Sequence, residues 1–561
     1  MSLRVPQIKN QMYVFPELLE NKVGNKPHAA RFFLYLASIM DLNLYMRESM
    51  GTPPYSRPTL IAVILYAMYS GHFSTIRIIK FAEDSIGAQW ILNGMKMPSY
   101  KTVERVINSL LEEMDNFFSQ ILLICEDLTL VGKKRIYIDG VKIKANASKH
   151  KAMSYGHLTK KIRSGKKEFE LLFTELKDSI DGFEDLSDEE MRELINEDAD
   201  TVHNVLQKNH QRTLETREKQ TFDIDSKEAE EANEIDYNTL NEGSDILKNT
   251  SPEKYDETLE MLNNIAFIKK RVGRMEEAKT ELENTWVEEN GDKKIPEKKQ
   301  INFTDSDSCI MVTKHQGVQQ CYNHFALVDD KAYIILGTHT SNNSSDQLGL
   351  IPTIENAEWV YGSLKGFQLG ADAGFFSADN ILYAEGKGID YYASYPEAKS
   401  PYAKDKFKYD NSTDTYTCPE GNILKMQKQT EDGKICQYSN EDGCAACKNC
   451  SNCTKAKDGI RRIERDMEND KIREKSKEKV KSEEGKEILR LRKSIPEPVW
   501  GNIKTQDGLT QMHYRGLDKS SLEFKLHCVM HNIRKILKVY LNSKSYQKTI
   551  HNVEWTYPQT A

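Results

Sequence analysis

The sequence contains no apolar run long enough to cross a membrane. The longest run, Leu60–Met68, has nine residues, whereas a membrane-spanning helix needs about 20. The first residues, MSLRVPQIKNQMYVFPELLENK, also have no apolar stretch of the signal-peptide type. We therefore expect a cytoplasmic protein.

An excess of positive charge is also absent. The chain has 78 Lys and Arg against 85 Asp and Glu, a net charge of -7, which excludes a uniformly basic nucleic-acid coat. The charge is unevenly distributed, however. Residues 133–167 hold twelve Lys and Arg and a single acid, Asp139, and an acid-rich stretch follows to about Glu297. The basic segment predicts a local surface that contacts DNA.

Cysteine is concentrated in one segment. Six of the ten cysteines lie between Cys418 and Cys453, and in a reducing compartment such a cluster indicates a metal site before it indicates disulfides. Cys444 and Cys447 have the Cys-x2-Cys spacing of a zinc knuckle. The candidate ligands are Cys418, Cys436, Cys444, Cys447, Cys450 and Cys453. Four sulfur ligands leave no open position, so we expect a structural Zn²⁺.

The periodicity of apolar residues predicts a mixed architecture. Residues 1–130 have helical spacing throughout, and the segments after Ser308 change to the alternation of β-strands. A strand, helix and strand follow between Phe367 and Tyr395. The predicted domains are a helical N-terminal domain for DNA-end binding or dimerisation (1–130), core segments at 131–164, 301–395 and 496–545, a helical acidic insertion (165–300), a cysteine-rich zinc-binding insertion with a charged helix (396–495), and a tail (546–561).

Three acids are placed where they can hold metal ions. Asp139, in IYIDG, and Asp372, in LGADAG, follow short strands, and Glu497 precedes Pro498 at the start of a helix that carries Lys504 two turns later. Carboxylate oxygens of this kind can hold two Mg²⁺ for phosphoryl transfer. Each acid alone would more often be a turn former or a helix cap.

The order and wording of many segments resemble the bacterial insertion-sequence transposases of the DDE type, and most closely the group conventionally numbered eleven-eighty-two. The arm at about 165–295 is the part least covered. The segments that carry the resemblance are MYVFPELL, PPYSRPTLIAVILYAMYSG, YIDGVKIKANASK, TDSDSCIM, YNHFALVD, NNSSDQLGLIPTIE, ADAGFFSADNILYAEGKGIDYYASYP, YTCPEGNIL, CAACKNCSNC, EPVWGNIK, HYRGLDK and CVMHNIRKIL.

The resemblance implies an α/β RNase H-like core and a catalytic triad of Asp139, Asp372 and Glu497 that binds two Mg²⁺ (or Mn²⁺). Lys504 matches the lysine that follows the family's glutamate, and Arg492 resembles the arginine that precedes it. The family's usual tyrosine would fall near Leu489 and is absent, whereas Trp500 keeps an aromatic residue where the family often has Phe. The cysteine pattern of the relatives favours four zinc ligands, which are Cys418, Cys444, Cys447 and Cys453.

We therefore expect a transposase that cuts insertion-sequence ends and joins them to target DNA. Its partners would be double-stranded DNA and further copies of itself, in a homodimer or higher assembly that associates with the nucleoid when bound. The residues predicted to contact DNA are Lys142, Lys144, Lys149, Lys160, Lys161, Arg163 and Arg515. Two alternatives stay open: a catalytically idle DNA-binding protein derived from such an element, and an RNase H-like nuclease that does not transfer strands.

Overall fold

A computed structural model describes residues 23, 28–41, 57–93, 95–180, 183, 186–220, 240, 242–313, 316–396 and 399–544. The chain divides into two compact units: residues 1–146 with 310–561, and residues 147–309. The predicted tail (546–561) and the MYVFPELL segment lie outside the described residues.

The N-terminal region is helical wherever it is described, as predicted. Ser74, Ser85 and Ser99 begin three of its helices, each accepting a hydrogen bond from a backbone N–H in the first turn, which satisfies a donor that has no partner within the helix. The helices are α1 (Ala29–Ile39), α2 (Arg57–Tyr69), α3 (Thr75–Asp84), α4 (Ile86–Leu92), α5 (Tyr100–Glu112) and α6 (Met114–Asp127).

A mixed six-stranded sheet lies at the centre of the larger unit. Its strands are β1 (Arg135–Lys144), β4 (Cys309–Thr313), β5 (Gly317–Asp329), β6 (Ile335–Ser341), β7 (Gln368–Ala371) and β8 (Asp390–Ala393). The order is β4-β5-β1-β7-β8, and β6 also pairs with β5. β1 is antiparallel to β5 and parallel to β7, which is parallel to β8. The mixed sheet predicted from the sequence is confirmed.

Helices cover this sheet and explain why its central strands are apolar on both faces. Ile136, Tyr137 and Ile138 are consecutive in β1 and all buried, as expected for a strand between two helical layers. The covering helices are α11 (Leu350–Val360), α12 (Ala378–Gly386), α16 (Glu483–Arg492), α17 (Pro496–Gln506) and α18 (Leu517–Asn542). Among them, α11 and α18 pack against β6, and α16 packs against β7 and β8.

The cysteine-rich segment folds around its own five-stranded antiparallel sheet. Its strands are β9 (Lys408–Asp410), β10 (Thr415–Thr417), β11 (Ile423–Gln429), β12 (Ile435–Ser439) and β13 (Ile463–Asp466). Two short helices, α13 (Glu441–Ala445) and α14 (Cys450–Cys453), follow β12, and α15 (Asn469–Lys481) follows β13. A small core that includes Phe407, Tyr416 and Tyr438 is buried within this module.

Residues 147–309 form the second compact unit, which is mainly helical and contains the stretch 165–300. Its elements are β2 (Ala152–Ser154), α7 (Tyr155–Ser179), α8 (Asp188–Gln220), α9 (Asp245–Asn249), α10 (Tyr255–Asn290) and β3 (Gln300–Asn302). β2 and β3 pair with each other. Leu158 and Ile162 of α7 pack in one core with Ile268 and Val272 of α10.

Across the ranges that the structure describes, no helix is both long and apolar enough to cross a membrane.

Candidate active site

Asp139 lies inside β1 and not at its end. The sequence predicted a short strand that ends at Asp139 with a turn at Gly140, but the strand continues to Lys144 because β5 pairs with it over its full second half. Gly140 therefore makes no turn. A Cβ at this position would lie 2.9 Å from the Phe325 ring, so the glycine allows that ring to pack against the strand. On the edge of β1 opposite β5, β7 pairs with Arg135–Tyr137 only. Asp139 therefore lies past the part of β1 that pairs with β7.

Asp372 comes directly after β7, in the position predicted. Its Oδ1 accepts a hydrogen bond of 2.8 Å from the backbone N–H of Gly374 and so begins a single turn of 3-10 helix. Because β1 and β7 are parallel neighbours, the carboxylates of Asp139 and Asp372 lie at the same edge of the sheet.

Arg492 joins these two carboxylates. Its Nη2 donates to Asp139 Oδ1 at 2.9 Å and to Asp372 Oδ2 at 3.0 Å. The side chain comes from the last turn of α16, which Glu484 and Glu487 attach to the sheet through hydrogen bonds with Gln368 and Arg135. The resemblance placed Arg492 only before the family's glutamate, so its direct contact with both aspartates is a finding of the structure.

Glu497 and Lys504 lie on α17 and line one cavity with Asp139. The cavity has a volume of about 720 Å³. Its charged lining residues are Asp139, Lys142, Lys144, Asp346, Glu497 and Lys504. Glu497 is in the first turn of α17, where the exposed backbone N–H groups favour a negative charge.

Trp500, one turn after Glu497, positions Asp139. Its Nε1 donates to Asp139 Oδ2 at 3.0 Å, and its ring stacks on Phe524 with 6.0 Å between the centroids. The sequence indicated only that an aromatic residue was retained here. The hydrogen bond requires an indole, which phenylalanine cannot replace.

Burial dominates the electrostatics of Asp139. Removal from water raises the pKa of its carboxyl, and the nearby charge of Asp372 adds to this rise. The Arg492 guanidinium and the Trp500 hydrogen bond act in the opposite direction. A buried carboxylate that already shares one cation with a second carboxylate is suited to binding a divalent cation, so Asp139 and Asp372 fit the metal ions that the resemblance implies.

Asp346 and Asn323 also line the cavity, and neither was predicted as a site residue. Asp346 follows β6 and begins a turn of 3-10 helix, and its Oδ1 accepts a hydrogen bond of 2.8 Å from Asn323 Nδ2. Asp346 was interpreted only as the start of a helix, because a lone Asp before an apolar helix is usually a cap. Only the pairing of β5 with β1 brings Asn323 to this edge.

The residues predicted to contact DNA fall into two groups. Lys142 and Lys144 line the cavity, and the exposed Arg515 donates from Nε to the Asn146 carbonyl at 3.3 Å. Lys149, Lys160, Lys161 and Arg163 belong to the unit of residues 147–309, where all four are exposed.

Five of the six clustered cysteines surround a small cavity of about 30 Å³. They are Cys418, Cys444, Cys447, Cys450 and Cys453. Burial raises the pKa of the Cys453 thiol, and the three neighbouring thiols of Cys444, Cys418 and Cys447 raise it further. The described residues contain no group of three or more His, Cys, Asp or Glu that is already arranged to hold a metal ion. The four sulfurs are therefore neighbours without forming a finished coordination shell.

Cys450 lines this cavity but also has a hydrogen bond of its own, and Cys436 is the clustered cysteine that does not line it. Cys450 Sγ donates to the Gly459 carbonyl at 2.8 Å, and Cys436 is buried in the core of the five-stranded sheet. These contacts distinguish both residues from the other four.

Comparison with known proteins bears on the C-terminal part of the chain. No curated protein and no solved structure matches it significantly. Residues 417–537 match the family model described as Transposase DDE domain. The matched segment contains Arg492, Glu497 and Lys504 but not Asp139 or Asp372. Such a domain implies an RNase H-like fold, and the match supports a transposase of the DDE type.

Proposed function

We propose that this protein is a DNA transposase that cuts at the ends of an insertion sequence and joins the freed ends to target DNA, with Asp139, Asp372 and Glu497 as its catalytic acids. One observation carries the proposal. The two aspartates share a single cation, the Arg492 guanidinium, and one of them, Asp139, lines a cavity together with Glu497. The family match supports a transposase of the DDE type and covers Glu497, but it does not reach the two aspartates.

Each chemical step exchanges one oxygen on phosphorus. In cleavage, a water oxygen bonds to phosphorus, the bond from phosphorus to the 3′ oxygen breaks, and that oxygen takes a proton to become a 3′-OH. In strand transfer, the 3′-OH oxygen bonds to a target phosphorus, and a target 3′ oxygen leaves in the same way. Divalent ions such as Mg²⁺ or Mn²⁺, when bound, would supply the positive charge that stabilises the extra negative charge on the phosphate oxygens.

The chain's own residues would place the DNA and balance its charge. Lys142, Lys144 and Lys504 line the same cavity as Asp139 and Glu497, so their ammonium groups can neutralise the phosphates next to the reacting one. Trp500 fixes the direction of the Asp139 carboxylate through its indole hydrogen bond. Arg492 holds the two aspartates together and would turn to the scissile phosphate when cations replace it.

We further propose that Cys418, Cys444, Cys447 and Cys453 bind a structural Zn²⁺. Their mutual proximity supports this set, and the contacts of Cys450 and Cys436 argue against including those two. With four sulfur ligands the ion would stabilise the module that leads into α16 without taking part in the chemistry.

The direct test uses the full-length protein and a duplex that contains the DNA flanking its coding region. We expect Mg²⁺-dependent nicking at the element end and joining to a plasmid, both abolished in Asp139→Asn, Asp372→Asn and Glu497→Gln. Asp379→Asn is the control because Asp379 is an exposed acid in the first turn of α12.

Two other outcomes would contradict the proposal. DNA binding without nicking would show an idle DNA-binding protein. Nicking without joining, under conditions that supply supercoiled target plasmid, would show a nuclease.

A further inference from the structure

One wall of the cavity that Asp139 and Glu497 line comes from the end of β4 and the residues before β5. Val312 and Thr313 are the last residues of β4, Gln316 precedes β5, and all three line the cavity. β4 is at the edge of the six-stranded sheet. This wall is therefore next to the candidate catalytic acids but belongs to elements that carry none of them.

Val312 is the exposed apolar residue among the described residues that line this cavity. Its exposed fraction is 71%. A single exposed apolar side chain is common on protein surfaces, and Ile310 and Val318 of the same two strands are also exposed. Those two lie outside the lining of the cavity, so position, and not exposure alone, distinguishes Val312. The other apolar lining residues are buried or half-buried; they are Val141, Ile143, Trp500 and Leu509.

Hydrogen bonds and packing fix the segment that presents Val312. Thr313 Oγ1 donates to the Gly317 carbonyl at 2.8 Å and accepts from the Gln316 backbone N–H at 3.1 Å. Met311, the residue before Val312, is buried. Because successive side chains of a strand point to opposite faces, the buried Met311 holds β4 in the orientation that exposes Val312.

The charged part of the cavity suits the DNA backbone, whereas Val312 suits the bases. Lys142, Lys144 and Lys504 line the cavity, and ammonium groups bind phosphates. An apolar side chain gains nothing from a phosphate. It can pack between neighbouring bases, as the apolar wedges of many DNA-bending proteins do, and such a wedge partly unstacks the two bases.

The size of the cavity favours one DNA strand over two. Its volume is about 720 Å³, within the range of pockets that hold a single small molecule, about 300–1,000 Å³. A short stretch of one strand fits such a space. A base-paired duplex, whose major groove alone is about 12 Å wide, does not. A strand that enters the cavity has to leave its partner close to the cut.

We propose that Val312 is a wedge that inserts between neighbouring bases beside the cleaved phosphate and separates the strands, so that one strand enters the cavity. The inference rests on the proposed function, since it takes DNA as the molecule that enters. A protein partner that paired with the edge strand β4 would instead contact the exposed Ile310 and Val318 as well.

Binding in the absence of divalent ions tests strand separation without catalysis. The probe is a duplex of the DNA flanking the coding region, with 2-aminopurine at the boundary of the element, because the fluorescence of this base rises when it is unstacked. At saturating full-length protein we expect the wild type to raise the fluorescence and Val312→Ser to raise it clearly less. Val318→Ser is the matched control and should behave like the wild type, because Val318 lies outside the cavity.

Nicking of DNA that is already open tests the same contact during catalysis. On a fully paired duplex we expect Val312→Ser to nick about tenfold more slowly than the wild type, because nothing then assists unstacking. Mismatches beside the cut remove most of the cost of opening, so on that duplex we expect the two rates to agree within about twofold. Thermal melting checks that each variant is folded.

Three results would overturn the inference. They are an unchanged fluorescence with saturating wild type, a Val312→Ser defect of equal size on paired and mismatched duplexes, and an equal loss in Val318→Ser, which would indicate a protein interface along β4. Failure of the proposed function has a different signature, because the wild type would then nick neither duplex. The fluorescence alone would in that case decide the role of Val312.

Discussion

Arg492 Nη2 lies within hydrogen-bond distance of both Asp139 Oδ1 and Asp372 Oδ2, at 2.9 and 3.0 Å. The guanidinium thus occupies the space between two carboxylates that would otherwise repel each other. A divalent cation at the same oxygens has to displace it. In the structure the arginine compensates the negative charge of both acids.

Replacement of this arginine should change how metal affects stability. We expect Arg492→Gln to lower the melting temperature in the absence of divalent ions, because two neighbouring carboxylates lose their shared partner. We expect added Mn²⁺ to raise the melting temperature of this variant more than that of the wild type, since no guanidinium competes with the ion. Differential scanning fluorimetry with and without Mn²⁺ measures both effects.

Arg490→Gln is the matched control, because Arg490 is exposed on the same helical turn. Equal responses of the Arg492 and Arg490 variants to Mn²⁺ would show that ion and arginine do not compete.

Trp500→Phe should impair catalysis without removing the aromatic contact with Phe524. The variant loses the donor to Asp139 Oδ2, and a hydrogen bond to a charged group contributes about 1.5–3 kcal/mol. We expect the nicking rate to fall by about tenfold. Since this hydrogen bond lowers the pKa of Asp139, the acid limb of the pH–rate profile should also move to higher pH.

Trp359→Phe provides the comparison, because Trp359 is 77% exposed. A Trp500→Phe profile that superimposes on that of the wild type would rule out the positioning role.

The zinc content of cysteine variants should separate the four proposed ligands from the other two. We expect about one zinc per chain in the wild type and a clear loss in Cys444→Ser and Cys453→Ser. Cys450→Ser should keep its zinc, because Cys450 Sγ already donates to the Gly459 carbonyl. Elemental analysis of the purified variants makes the measurement, and absence of zinc from folded wild-type protein would refute the site.

His513 and Glu523 should make stability depend on pH. A hydrogen bond from the His513 ring to the carboxylate of Glu523, which is almost fully buried, raises the pKa of His513 above its ordinary value. A group whose pKa is raised by folding stabilises the folded state fully below its unfolded pKa, about 6.5, and this stabilisation disappears as the pH rises through the folded pKa. We expect the melting temperature of His513→Gln to fall below that of the wild type by more at about pH 5.5 than at about pH 8.

His157→Gln, at an exposed position of α7, controls for the loss of a titrating histidine. A difference between the wild type and His513→Gln that is constant with pH would contradict the coupling.

A buried ionic group fixes the end of the helix that carries Glu497 and Lys504. Asp507 follows α17, and its Oδ2 lies 2.9 Å from His527 Nδ1 while its Oδ1 lies 2.5 Å from Arg534 Nη2. Removing one partner from a buried charge group costs about 3–5 kcal/mol, and we expect Asp507→Ala to lose that much free energy of unfolding. Asp518→Ala, at an exposed position of α18, should cost little, and similar denaturation midpoints for the two variants would disprove the role.

The sequence was sufficient to predict the elements whose pattern is local. Helical spacing predicted the N-terminal helices, and alternation predicted β5 and β6. The strand with Asp139 was predicted too short, because Gly140 was interpreted as a turn. Its actual role depends on the Phe325 ring of a strand far away in the chain, and such a contact leaves no local signal.

The candidate site was likewise predictable only in part, because some of its contacts join residues that are far apart in the chain. The ordered set of Asp139, Asp372 and Glu497 was proposed through a family resemblance, and the closeness of the two aspartates depends on the parallel pairing of β1 with β7. Asp346 was missed because its position resembles an ordinary helix start. Its relation to the other acids exists only once β5 places Asn323 next to β1.

The path of the chain from the five-stranded module has a consequence for genetics. The segment that leaves β13 runs through α15 and α16 and ends at Arg492, whose side chain contacts the catalytic candidates directly. A substitution that disrupts the packing of that module would shift the backbone that leads to Arg492. The contacts of Arg492 with Asp139 and Asp372 would then be lost. In a screen for inactive alleles, we expect lesions in the cysteine segment to produce the same phenotype as lesions at Asp139 or Asp372.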